Sequence, residues 1–219
     1  MSQFVVIGLG NFGYYLATHL YEKGHEILAI DKNQSLVQEI KEKVTRAVIA
    51  DATDRKALES LGVKDMDAAV VCIGSAQDAS ILTTLNLLEI GVKRVLAKVI
   101  SEPHGRILKK IGAEEILFPD RDLAITLAER LHNPNLLEYL PFVEGYGIME
   151  LTPPMGFVGK TLRELNLINR YGLQVVAIKD IVPERLTMIP NAEFVIKDSD
   201  ILILLGPHQS LDKLKEEER

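Results

Sequence analysis

The sequence predicts an α/β chain: a doubly wound, six-stranded parallel sheet followed by a small α+β lobe. Three observations carry this. Strand-sized apolar runs alternate with helical patterns over residues 1–119. The first run, Phe4-Val5-Val6-Ile7, has no polar alternation, as a central parallel strand buried on both faces requires. It leads straight into Gly8-Leu9-Gly10-Asn11-Phe12-Gly13, the G-x-G-x-x-G spacing of a Rossmann-type strand-to-helix turn.

Each glycine of that turn has a physical task. Gly8 permits the tight turn, Gly10 lets the backbone approach a phosphate, and Gly13 lets the helix pack on the strand. Phosphates would sit on the free N–H groups at the start of the helix near Asn11. The second strand, Ile27-Leu28-Ala29-Ile30, ends in Asp31, eighteen residues beyond Gly13, where a carboxylate can accept from both ribose hydroxyls. A 2′-phosphate would be repelled there, which favours adenosine or NAD over NADP. The competing reading of Asp31 is an N-cap for the helix containing Leu36, Val37 and Ile40.

The alternation continues in order. Ala47-Val48-Ile49-Ala50 is the third strand, followed by a helix around Arg55 to Leu61 and the fourth strand, Ala68 to Ile73. A helix from about Gln77 to Glu89 leads to Val95-Leu96-Ala97-Lys98-Val99, and a helix from Pro103 to Ile111 leads to Ile116-Leu117-Phe118. Gly24 precedes Asp31, and Gly91 precedes Lys98, at one spacing, each placed as a helix C-cap. Strand-end side chains therefore gather on one edge: Asp31, Asp51 with Thr53, Gly74 with Ser75, Lys98 and Asp120. In the segment Asp120 to Leu131, apolar residues cover most of the helix circumference, so one side must be buried elsewhere. Asp120 fits its N-cap, and the pattern ends at His132-Asn133-Pro134; it reads as a hinge or dimerisation arm, or else as a well-buried sixth helix.

Residues 136–219 change pattern. Ile148 to Leu151, Val175 to Lys179 and Ile201 to Leu205 read as strands, with helices at Thr161 to Leu167 and after His208, punctuated by Pro153-Pro154, Pro183 and Pro190. Gly156 to Thr161 mimics a P-loop, but the required first glycine is Pro154, so Gly159-Lys160 reads as a turn before a Thr161-capped helix.

Composition sets outer limits. With 219 residues and 47% hydrophobic content the chain can bury a sizeable core. No apolar run reaches the roughly 20 residues of a membrane span, and no leader pattern opens the chain, so a soluble cytoplasmic protein without direct membrane insertion is expected. The single cysteine, Cys72, excludes an intrachain disulfide. A net charge of −6 argues against a nucleic-acid partner, and the mixed run Lys213 to Arg219 reads as a solvated tail. The five histidines are scattered, and no tyrosine is followed four residues later by lysine, so neither an activated nucleophile nor a dehydrogenase acid/base pair emerges.

These motifs together give a specific resemblance. Val6 to Gly13, the Asp31 strand, Ala50-Asp51-Ala52-Thr53, Val70 to Gly74, Ala97-Lys98-Val99 and Ile111 to Asp120 resemble the RCK, or KTN, family. Gly159 to Leu165, Tyr171 to Val175 and Asp198 to Gly206 resemble its C-terminal lobe. The resemblance covers nearly the whole chain. It implies three parts: a nucleotide-binding domain at 1–119, a crossover or dimerisation helix with hinge at 120–135, and the RCK C-terminal lobe at 136–219.

The resemblance also implies a function: a cytosolic regulatory subunit of a bacterial Ktr/Trk-type potassium uptake system, a homodimer assembling into an octameric ring beneath a membrane-embedded transporter subunit. It assigns Gly8, Gly10 and Gly13 to the phosphates, with Asn11 and Phe12 between them, and Asp31 with Lys32 to the ribose. Asp51, Ala52 and Thr53 frame the adenine, Ile73, Gly74 and Ser75 close the phosphate side, and Lys98 adds charge. Asp120 matches an acidic position that in some relatives helps bind a divalent cation at the dimer interface. Many relatives carry an arginine that reaches a γ-phosphate where this chain has Asn11, which argues against a strong preference for ATP among the adenine nucleotides ATP, ADP and AMP and leaves ADP, AMP and NAD(H) open. The alternative is an NAD-dependent oxidoreductase, which would need a hydride acceptor pocket and a proton-transfer residue.

Overall fold

The computed structural model describes residues 1–74, 76–132, 135–143, 145–181, 184–207 and 209–215. Ser75, Asn133, Pro134, Pro183, His208 and the last four residues of the charged run lie outside the described residues. The chain divides into two compact units, Met1–Asp120 and Arg121–Arg219.

The first unit alternates strand and helix: β1 (Gln3–Ile7), α1 (Asn11–Glu22), β2 (Glu26–Asp31), α2 (Gln34–Ile40), β3 (Arg46–Ile49), α3 (Arg55–Ser60), β4 (Ala68–Val71), α4 (Gln77–Ile90), β5 (Val95–Lys98), α5 (Glu102–Ile111) and β6 (Glu115–Leu117). All five strand pairings are parallel, in the order β3-β2-β1-β4-β5-β6. The order reverses between β1 and β4, so the C-terminal ends of these two strands flank the crevice where such sheets bind ligands.

The doubly wound arrangement follows from which side chains each face hides. Val6, Ile27, Ala29, Val70 and Cys72 pack with Leu9, Ala17, Val37 and Ile40 on one face. Val5, Ile7, Leu28, Ala69, Val71 and Ala97 pack with Leu58, Leu87, Ile90 and Leu108 on the other. Strand residues alternate between two buried faces, which is why β1 and β4 read as unbroken apolar runs. Gly91 caps α4 in the left-handed region (φ 92°), as its sequence position predicted.

The helix α6 (Pro119–His132) begins one residue earlier than expected, so Asp120 sits inside its first turn instead of capping it. None of its described residues is buried, and Leu123, Ile125, Leu127 and Leu131 are all exposed in the single chain.

The rest of the second unit is an antiparallel sheet of β7 (Leu136–Val143), β8 (Tyr146–Leu151), β9 (Gln174–Asp180), β10 (Arg185–Met188) and β11 (Asp200–Pro207), with the short helices α7 (Leu162–Leu165), α8 (Leu167–Tyr171) and α9 (Ser210–Lys215). Its order is β10-β9-β11-β8-β7. Phe157, Leu165, Leu173, Met149, Leu202 and Leu204 fill its core. Three expectations need correction. The segment from 136 holds a strand, β7, where the sequence suggested none, and β10 is a second unexpected strand. The helix expected at Thr161 to Leu167 is two helices, because Asn166 turns left-handed (φ 46°), a conformation asparagine tolerates. The start of α7 matches its reading: Thr161 and Glu164 form a reciprocal capping box.

β9 and β11 place two carboxylates opposite each other, Asp180 and Asp200. The Lys197 ammonium lies 2.9 Å from Asp180 Oδ1 and holds that carboxyl below its usual range, while the Lys197 N–H donates to Asp200 Oδ2 at 2.8 Å. Burial, and then the neighbouring Asp180, push Asp200 up. A raised folded pKa favours folding below the ordinary carboxylate value, and that favour is lost as pH rises through the folded value. Asp200→Asn keeps the acceptor for Lys197 and removes the costly charge. By calorimetry over a pH series, Asp200→Asn is expected to raise the unfolding midpoint at pH 7 by a few degrees, and the gain should shrink as the solution is acidified through the Asp200 titration.

Candidate functional site

The C-terminal ends of β1 to β6 lie on one edge of the parallel sheet, so most of the candidate residues are delivered there by topology. At the centre is the glycine turn. Gly8 is left-handed (φ 94°), and a Cβ on it would stand 3.0 Å from the Cys72 carbonyl carbon. A Cβ on Gly13 would stand 1.9 Å from the Gly8 carbonyl oxygen. Both glycines are therefore demanded by packing: α1 starts against the backbone of the turn, and the turn against the end of β4. Gly10 differs. It is the N-cap of α1 in an extended conformation, with no side-chain cap, and a Cβ there would meet nothing within 4 Å. Open space in front of an uncapped helix start suits an anion, because first-turn N–H groups and the helix dipole point into it.

Asp31 closes the other side of the turn. Its Oδ2 accepts from the Leu9 N–H at 2.6 Å, and its Oδ1 accepts from the Asn33 N–H at 2.8 Å. The N-cap of α2 is Asn33, whose side chain accepts from Ser35, so the capping alternative for Asp31 is excluded. Two backbone bonds fix the carboxylate at the end of β2 and leave further lone pairs on each oxygen.

The next turn along the edge is self-bonded. Asp51 Oδ1 accepts from the Thr53 N–H at 2.9 Å and from Thr53 Oγ1 at 2.7 Å. Those bonds, from the hydroxyl first, lower the Asp51 pKa, and the Lys32 charge adds to the effect, which places Lys32 near Asp51. Ala52 is buried beneath them. From α4, the Asn86 amide Nδ2 donates to the Thr53 carbonyl at 3.0 Å. Asn86 escaped the sequence reading. The inward face of α4 also buries Ser80, Thr83 and Thr84, so a polar residue there was no distinguishing signal in the sequence.

Lys98, at the end of β5, is largely buried; its Nζ lies 3.1 Å from Asp120 Oδ2 and 5.6 Å from the centre of the Phe12 ring. This brings the start of α6 and the glycine turn to one ammonium. Ile73 and Gly74 are half-buried past the end of β4, and a Cβ on Gly8 would stand 3.1 Å from the Ile73 nitrogen. Cys72, beneath the turn, has its thiol pushed up to about 12 by burial, so it stays protonated. A divalent cation at Asp120 does not fit within one chain. One exposed carboxylate already paired with Lys98 supplies too few oxygens, and no group of three or more His, Cys, Asp or Glu side chains suited to a metal occurs among the described residues.

Comparison with known proteins gives this edge its lineage. Residues 4–119 match the TrkA-N domain model and residues 148–218 the TrkA-C domain model. The chain belongs to the TrkA family. It is 38% identical over 205 residues to the Ktr system potassium uptake protein C of Bacillus subtilis, covering 94% of this chain and 92% of that one. It is 34% identical over 216 residues to protein A of the same system, covering 99% and 96%. Among solved structures, the GsuK channel bound to NAD superposes with a TM-score of 0.66 at 19% identity; it covers 100% of this chain, which spans 39% of that one, and the likeness establishes the fold. The resemblance read from the motifs is thus confirmed at the level of family and fold.

The two inner glycines separate by experiment. Gly13→Ala must displace backbone and is expected to cost about 1–3 kcal/mol in denaturant unfolding. Gly10→Ala, in open space with an ordinary φ, should stay within about 0.5 kcal/mol of the parent chain.

Proposed function

We propose that this TrkA-family chain is a regulatory gating subunit for potassium uptake that binds an adenine nucleotide at the β1/β4 switch point. The observation that carries the reading is the uncapped α1 start at Gly10, with open space before it, in the same turn whose Leu9 N–H is bonded to the fixed Asp31 carboxylate. The phosphates lie over the Gly8 to Gly13 turn and take the first-turn N–H groups of α1, at Asn11, Phe12 and Gly13, since the Gly8 N–H donates to the Ile30 carbonyl and the Leu9 N–H to Asp31. Asp31 and Lys32 take the ribose, Asp51, Ala52 and Thr53 the adenine, Ile73 and Gly74 with Ser75 the far side of the phosphates, and Lys98 their charge. ATP, ADP, AMP and NAD(H) all share this adenosine phosphate.

The site binds and does not turn over. Three of its ionisable groups are engaged in fixing structure: Asp31 with two backbone N–H groups, Asp51 with Thr53, Lys98 with Asp120. The relatives are named as potassium uptake proteins, and the partner proposed here is a membrane-embedded potassium transporter subunit. No described helix is long and apolar enough to cross a membrane, which suits attachment at the inner face of the membrane through that partner. Residues 120–135 act as crossover and hinge, and the exposed Leu123, Ile125, Leu127 and Leu131 of α6 form the arm onto which a second copy packs, dimers then building an octameric ring. Nucleotides differing at the phosphate end stabilise different arrangements of the paired lobes, with coupling of about 1–3 kcal/mol.

Calorimetric titration of the purified chain with ATP, ADP, AMP and NADH tests the reading. At least one should bind with a submillimolar Kd, and Gly10→Ala, folded and stable, should weaken it by about tenfold or more by placing a methyl where the phosphate lies. Absence of binding by all four at millimolar concentration would overturn the reading.

A further inference from the structure

We propose that Asn86 is a positioning residue for adenine: its buried amide holds the Asp51-Ala52-Thr53 turn in place through the Thr53 carbonyl. The inference rests on the adenine reading above and assigns a part to a residue from outside the nucleotide-facing loops. The turn's own bonds, from Thr53 to Asp51 Oδ1 and from the Asp54 N–H to the Asp51 carbonyl at 3.1 Å, fix its internal shape. The β3 side of the turn is held to the end of β2 by the Ala50 N–H, which donates to the Asp31 carbonyl at 3.0 Å. The far side, at the Thr53 carbonyl, is held by the bond from Asn86, thirty-three residues away in the chain.

Its cost argues the same way. Asn86 is 7% exposed in the interior of a helix, where asparagine is a poorer helix former than leucine and a buried amide is costly unless paired. The pairing it makes is with the adenine turn. A second link between the same elements, Arg55 to Glu89 at 2.7 Å, has both side chains about half exposed and contributes little. The helix that carries Asn86 starts just beyond Ile73-Gly74, so α4 serves both ends of the nucleotide: its start follows the phosphate-side loop and its third turn tethers the adenine side.

Asn86→Asp keeps the shape and replaces the donor with an acceptor facing the carbonyl. Asn86→Leu keeps much of the buried volume with neither, and serves if the first variant does not fold. Titration with ADP, AMP and IDP is paired with amide hydrogen exchange over residues 51–55. ADP and AMP should weaken by the same factor, about tenfold; the ADP-to-AMP ratio should hold, because the phosphate end is untouched. The preference for ADP over IDP should shrink, and exchange in the turn should quicken. Wild-type preference for ADP over IDP in a folded variant, or equal loss of ADP and IDP with unchanged exchange, overturns the tether while leaving nucleotide binding standing. A parent chain that binds none of the three removes the adenine reading and this role with it.

Discussion

The contact between Gly13 and the Gly8 carbonyl is the constraint from which the rest of the first unit's sheet edge follows. No side chain fits between them, so α1 can begin only where the chain has just turned at the end of β1. That start leaves the first N–H groups of α1 facing outward with no capping side chain, at the edge where the sheet order reverses. The Gly8 turn in turn lies on the end of β4, and Asp31 reaches across from β2 to the Leu9 N–H. Three neighbouring strands are thus locked to one small loop. The outward-facing dipole of α1 and the fixed Asp31 carboxylate are consequences of that packing, and the largely buried Lys98 stands beside them at the end of β5.

Much of this was legible because the physics is local. Buried parallel strands need unbroken apolar runs, and β1, β2, β4 and β5 supply them. Tight turns need glycine, and Gly8, Gly24 and Gly91 take up positive φ as their positions required. The illegible parts depend on distant partners. β7 carries Pro141 and β10 is four residues long with exposed Leu186 and Met188; both are edge strands, where a missing donor or an uncovered side chain is tolerated and alternation is weak. The break at Asn166 turns on one backbone angle. Asp120 was misplaced by one residue because proline is itself a good first helical residue. Asn86 was one polar letter among several on α4, and its meaning lay thirty-three residues upstream. Lys98 announced a charge at a strand end, but not that Asp120 and Phe12 would share it.

In the regulatory reading proposed above, the site acts by differing in energy between ligands. Lys98, 5.6 Å from the centre of the Phe12 ring in the glycine turn, has its ammonium paired with Asp120 in the first turn of α6. Ligand identity can therefore bear on the helix whose apolar side chains stand exposed, and differential affinity is all that a gating equilibrium requires.

The central claim is where the nucleotide sits. A crystal structure of the purified chain grown with ADP measures it most directly. The account predicts the diphosphate at the α1 start over Gly10, ribose hydroxyls on Asp31, and adenine against the Asp51 to Thr53 turn. Nucleotide found elsewhere on the chain, or turned so that the adenine lies at the α1 start, would contradict it.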